Sequence, residues 1–353
     1  MKGMISMKGK KGISLALVLM VSTGLFGCNQ SKETKGHALG KTTEEISRTI
    51  EVIGADYPLT IKDTTTDETV LEKVPEKVAV ISGTPLSIWY DLGGKSICSS
   101  DISENVKLVE GYEEEIKSLP SVGPVYSIDM ERIVSEKPDL IIAQYGTQGT
   151  HAKKLREMGF NVIVTSVKTY KDVVDTYIAF GKILKSEESA NKRIAELEQK
   201  KAEIISKLPD QETSVVILYV TANALSVKLN NSIAGDVSNV LKLRNIASGL
   251  PVDTIGSENT PLDIEYIVRE NPDYVFVTSM IASNEAAKKT MEEHFASNPA
   301  WRSIPAITEG RVIYLPQEHF LFNSGPYYSE AIEYVARSIY PEIYGEVDGW
   351  YGK

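Results

Sequence analysis

The sequence predicts an α/β protein built as two Rossmann-like lobes joined by a single long rigid α-helix, and three observations predict it. Apolar strand-like runs alternate with helical segments along the body of the chain, the pattern of an α/β architecture. A block of sixteen residues, 128–143, recurs as 262–277 at a constant offset of 134, with Asp129/Asp263, Glu131/Glu265, Ile133/Ile267, Val134/Val268, Glu136/Glu270, Pro138/Pro272 and Asp139/Asp273 identical. Seven identities in sixteen are more than chance readily supplies, so the chain holds two related lobes. Between the two copies, residues 186–208 place Ile194, Leu197, Ile204, Ile205 and Leu208 at helical intervals, with no Gly or Pro until Pro209. A helix of about 22 residues would be about 33 Å long, enough to run from one lobe to the next.

The amino terminus is set apart by charge. Lys2, Lys8, Lys10 and Lys11 precede an apolar run, 13–26, and the first 27 residues hold no acid. That run is 14 residues long, short of the roughly 20 that a spanning helix needs, and it matches the apolar region of an export signal. Removal of residues 1–27 would take the net charge from −10 to −14. Residues 28–56 are polar, rich in Lys, Glu, Thr and Ser, and are expected to form a flexible tether. The N-terminal lobe is then 57–184, the connecting helix 185–209 and the C-terminal lobe 210–353. A chain this acidic does not present a nucleic-acid-binding face, and two Cys in 353 residues are not a disulfide scaffold. Cys98 reads as a small buried strand residue.

In the first lobe, 78–82 is strand-like, Gly83-Thr84-Pro85 opens a helix over 86–92, and Gly93-Gly94 ends it. Trp89 and Tyr90 are expected in the core. A strand over 140–143, a helix over 151–158, a strand over 161–165 and a helix over 171–184 follow, and the second lobe opens with a strand over 215–220. In each repeat the Asp caps a helix, the Pro stops its continuation, and an apolar strand comes next. The apolar positions leave Glu131 and Glu265 for solvent or a partner.

Open α/β sheets bind ligands in a crevice at the carboxyl ends of their strands, so a ligand cleft between the lobes is expected there. Candidate contacts are Gly83, Thr84, Tyr145 and Thr147 from the first lobe. From the second they are Asn223, Thr278, Ser279, Met280, His319, Phe322 and Tyr327. Four His, at 37, 151, 294 and 319, are a poor donor set for a bare divalent metal. No nucleophile elbow, phosphate-cradling loop or Cys-His pairing stands out, so no catalytic residues are assigned.

The ending Leu25-Phe26-Gly27-Cys28 resembles a bacterial lipobox, with Cys28 the lipidated residue. With the tether, the two lobes, the helical link and the repeated Asp-x-Glu…Pro-Asp block, the chain resembles the helical-backbone (class III) ABC-transporter substrate-binding lipoproteins, a class of ferric-siderophore, haem and cobalamin receptors. A hairpin-like segment at 59–63 before Val74-Pro75-Glu76-Lys77-Val78 belongs to the same resemblance. It implies a non-enzymatic monomer without intrinsic cofactor, lipid-anchored on the outer face of the cytoplasmic membrane, that delivers an iron complex to a permease dimer and its ATPase. The family's docking carboxylates, which pair with permease arginines, fall on Glu131 and Glu265. Among ligands, a neutral hydroxamate-like ferric siderophore is favoured, because the chain is acidic and few Arg or Lys occur in the proposed loops. Haem or cobalamin is the alternative within the class, and for haem Tyr145, Met280 or His319 would be the axial ligand. A lipid-anchored sensor, an adhesin and a surface enzyme are the alternatives outside it.

Overall fold

The chain enters through an antiparallel ribbon, β1 (Glu51–Ile53), β2 (Leu59–Lys62) and β3 (Glu68–Leu71), paired in that order. The computed structural model describes residues 50–103, 106–254, 256–281, 283–321 and 325–347, all within the unit Ser47–Lys353. The export signal, Cys28 and most of the tether lie outside the described residues. The end of the expected tether is a strand instead. β1 pairs with β2, Ile50 is buried, and the Tyr57 hydroxyl donates to the Ile183 carbonyl. The alternation within Ile50-Glu51-Val52-Ile53 explains why it pairs. In the hairpin, Leu59, Ile61 and Leu71 point inward while Lys62, Glu68 and Val70 face solvent.

The first parallel sheet is β4 (Val78–Val80), β5 (Leu140–Gln144) and β6 (Val162–Thr165), in the order β4-β5-β6. All but Gln144 are buried, as expected of strands covered on both faces. The helices of this half are α1 (Gly83–Asp91), α2 (Glu113–Lys117), α3 (Met130–Ser135) and α4 (Gly149–Glu157). Trp89 and Tyr90 of α1 are buried in the core. A Cβ at Gly94 would come 2.4 Å from the Trp89 indole nitrogen, so only glycine lets the chain double back there. Cys98 is buried but lies outside any strand, and burial pushes its thiol up to about 11. It remains a protonated packing group.

Thr169 and Asp172 form a capping box at the start of α5 (Tyr170–Leu184). Lys185, at φ 55°, ends α5, and the chain turns into α6 (Glu187–Ile205). α6 is 19 residues, about 28 Å, shorter than the sequence pattern implies, because Lys207 and Leu208 already belong to a turn. Its buried positions Ala190, Leu197 and Ile204 recur every seven residues. They form a narrow apolar stripe against α5 and the C-terminal α12 (Tyr328–Ile339).

Beyond α6 the second sheet has six strands: β7 (Ser214–Thr221), β8 (Leu225–Lys228), β9 (Arg244–Asn245), β10 (Asn259–Pro261), β11 (Tyr274–Met280) and β12 (Val312–Tyr314). Their order is β10-β8-β7-β11-β12, with β9 beside the start of β7. β7, β11 and β12 are parallel, whereas β8 and β10 are antiparallel additions at one edge. The remaining helices are α7 (Ile233–Val240), α8 (Ile264–Glu270), α9 (Asn284–Ser297), α10 (Pro305–Thr308), α11 (Gln317–Phe320) and α13 (Pro341–Tyr344).

The repeated block becomes α3–β5 and α8–β11. Asp129 caps α3 by accepting from the Glu131 and Arg132 amides, and Asp263 caps α8 by accepting from the Tyr266 amide. Lys137 and Asn271, equivalent positions, both adopt left-handed φ values of 51° and 44°. The second Asp has a long-range role. Asp139 accepts from the amides of Glu76 and Lys77, at 2.8 and 2.9 Å, and Asp273 from the amide and hydroxyl of Ser214, each at 2.7 Å. Each therefore clasps the start of the neighbouring parallel strand.

Candidate functional site

A cavity of about 220 Å³ opens where the carboxyl ends of β5 and β6 face the second sheet. Of the residues expected there, Thr84, Tyr145, Thr147 and Thr278 line it. Thr84 lies in the first turn of α1, Tyr145 and Thr147 in the loop after β5, and Thr278 near the end of β11. The loop after β5 is held by Gln148, whose amide nitrogen donates to the Ile81 carbonyl while its oxygen accepts from the Gln144 amide. Thr147 Oγ1 is buried without a hydrogen-bond partner.

The other candidates lie elsewhere. Gly83 begins α1 beside the cavity without lining it. Ser279 is buried and accepts from Gln317 Nε2 at 2.9 Å, while Asn223 is exposed in the β7–β8 turn. The Met280 sulfur is engaged by the Tyr219 hydroxyl at 3.2 Å and by the Tyr126 hydroxyl at 3.9 Å. His319 is buried on α11, away from the lining, with Nε2 3.8 Å from Glu330, and burial lowers its pKa. Phe322 lies outside the described residues, while Phe320 and Leu321 beside it do line the cavity. Tyr327 belongs to a second, larger groove of about 650 Å³ along α6. There its hydroxyl donates to the Leu108 carbonyl at 2.8 Å and its ring lies 4.1 Å from the Lys107 ammonium. A sequence segment can name the loop but not the direction of each side chain, which separates Tyr327 and His319 from Phe320.

Of the three axial candidates for haem, only Tyr145 lines the cavity. Among the described residues, no group of three or more His, Cys, Asp or Glu is placed to hold a metal ion.

Among the lining residues that were not anticipated are Tyr126, Lys168, Tyr219, Lys228 and Glu258. The proposed loops hold no Arg or Lys, but two lysines line the cavity from segments outside them. Lys228, at the end of β8, has a side chain only 8% exposed, and its ammonium sits 4.0 Å from the Tyr219 ring. Glu258 bridges it to Lys168, which follows β6. Burial lowers the Lys228 pKa against the pull of Glu258. At Glu258, burial acts to raise the carboxyl, but the two ammonium groups together hold it below the usual carboxylate range. Burial pushes the Tyr219 phenol up to about 12 and raises Tyr126, so both are neutral donors at neutral pH. The one local signal was Lys228 itself, a lone cation between Val227 and Leu229.

Glu131 and Glu265 are both exposed, one on α3 and one on α8, and neither carboxylate forms an ion pair among the described residues.

Comparison with known proteins places the architecture. Residues 78–319 match the family described as periplasmic binding protein. An uncharacterized ABC transporter substrate-binding lipoprotein of Bacillus subtilis, YvrC, is 26% identical over 350 residues, covering 96% of this chain and 100% of its own length. The Fe(3+)-citrate-binding protein YfmC of the same organism is 24% identical over 302 residues, covering 84% and 87%. The crystal structure of an ABC-type Fe3+-hydroxamate transport system from Saccharomonospora viridis superposes with a TM-score of 0.66 at 17% identity, over 80% of this chain and 99% of that one. The family match spans most of the chain and both sheets, so the chain belongs to the periplasmic binding protein family and is the substrate-binding receptor of an ABC importer, not an enzyme.

Proposed function

We propose that the chain is a lipoprotein, anchored through Cys28 on the outer face of the cytoplasmic membrane, that captures an iron complex between two Rossmann-like lobes. It acts as a monomer and hands the complex to a permease dimer served by an ATPase, docking through Glu131 and Glu265. The observation that carries this reading is the cavity at the strand ends, where hydroxyls and aromatic rings from both halves converge: Thr84, Tyr126 and Tyr145 from one, Tyr219 and Thr278 from the other. Such a lining offers stacking faces and hydrogen bonds and leaves the iron to the chelator's own donors. The printed roles of YfmC, ferric citrate binding, and of the Saccharomonospora system, ferric hydroxamate transport, support an iron complex as the cargo. The apolar stripe of α6, which repeats every seven residues, supports a stiff connection between the lobes and a small closure on binding.

The test is an intrinsic-fluorescence titration of the mature chain with ferric citrate, a ferric hydroxamate, a ferric catecholate, haem and cobalamin. Saturable quenching by at least one iron complex is expected. Saturation by cobalamin alone would replace iron with a corrinoid, and saturation by none would overturn the iron-complex cargo.

A further inference from the structure

Among the described residues that line the cavity three are charged, and they come from both halves: Lys168 after β6, Lys228 at the end of β8, and Glu258 leading into β10. Glu258 Oε1 meets the Lys228 ammonium at 2.5 Å, and Oε2 meets Lys168 at 3.0 Å. One carboxylate is thus shared between two ammonium groups, which leaves an excess positive charge in a partly desolvated space. The exposed Asp253 attracts Lys228 from outside the lining, more weakly than Glu258 does.

Each ammonium has three N–H donors, and Glu258 takes one from each. The ring of Tyr219 satisfies part of Lys228 as a π face, which is no substitute for an anion. The rest of the lining is neutral, and Thr147 Oγ1 is buried with no partner. Uncompensated charge in such a place is unfavourable, and an incoming anion relieves it.

Resting on the receptor reading above, we infer that the cavity selects an anionic ferric chelate that presents a carboxylate to Lys168 and Lys228, and that Glu258 holds that carboxylate's place in the empty cleft. Lys168 is the member that exchanges. It lies on the opposite half from Glu258 and is 24% exposed, whereas Lys228 is locked beneath Tyr219. The ligand carboxylate takes over the tie between the halves that Glu258 makes without it. A neutral hydroxamate offers the two lysines nothing that Glu258 does not already supply.

The experiment compares ferric citrate with a ferric trihydroxamate of zero net charge on the mature wild-type chain, Glu258→Gln and Lys168→Gln, with thermal melting as a check of folding. Wild type is expected to bind ferric citrate at least tenfold tighter than the neutral complex, with an affinity that falls as salt rises. Glu258→Gln, which removes the competing carboxylate, is expected to tighten ferric citrate several-fold. Lys168→Gln is expected to cut the ratio of the two affinities by about tenfold, and this variant decides the matter if Glu258→Gln fails to fold. Preference of wild type for the neutral complex, or an unchanged ratio in Lys168→Gln, overturns the inference and leaves the receptor reading standing. Binding of no iron complex at all removes the iron-complex cargo proposed above and this inference with it.

Discussion

In α3–β5 and α8–β11 the same block of sequence builds the same object: an Asp-capped helix, a left-handed residue, a buried Pro and an Asp that clasps the neighbouring strand. Beyond the strand ends the two copies part. β5 stops after five residues and its loop carries Tyr145 and Thr147 into the cavity. β11 runs for seven, and of its last three residues only Thr278 lines the cavity, while Ser279 and Met280 are engaged by Gln317, Tyr219 and Tyr126. The second half supplies its charged chemistry instead from β8, an antiparallel strand outside the repeat. What is duplicated holds the frame and presents Glu131 and Glu265 at equivalent exposed places; what is not duplicated lines the cavity.

The equivalence of the two copies can be broken most visibly at the membrane. Glu131→Lys with Glu265→Lys is expected to reduce uptake of the cargo by cells at least tenfold while leaving its affinity for the purified protein within twofold, and the two single variants are expected to have equal, partial effects. Loss of affinity in the double variant would move these carboxylates from the docking face to the ligand site.

The strand clasps should also behave alike. Asp139→Ala and Asp273→Ala are each expected to cost about 1–2 kcal/mol in denaturant unfolding, because each removes two hydrogen bonds made to a carboxylate. A cost at one site only would show that the clasp is used in one half alone.

The smallest effect tests the left-handed pair. Lys137→Gly is expected to stabilise the protein by up to about 1 kcal/mol, and Asn271→Gly by less, since Asn tolerates that conformation better than Lys. Equal gains would argue against a side-chain difference at the two turns.

Much of the frame was legible from sequence because its determinants are local. The caps at Asp129 and Asp263, the strands around Leu140 and Val162, and the burial of Trp89 and Tyr90 follow from residues a few positions apart. The strand at Glu51–Ile53 was hidden in a polar surrounding, since three residues are too short for alternation to stand out. The antiparallel pair β8 and β10 was hidden because its partners meet only across the sheet.

The sequence by itself determined the repeat, its helix starts and stops, and the equivalent exposed places of Glu131 and Glu265, all matters of neighbours along the chain. Only the tertiary structure decided that Lys168, Lys228 and Glu258 share one cavity with Tyr145 and Thr278, and that His319 and Tyr327 do not join them. The reason is physical: a cap or an apolar stripe is set within one or two helical turns, whereas a buried ion pair between distant segments exists only once two sheets are packed and water has been excluded from between them.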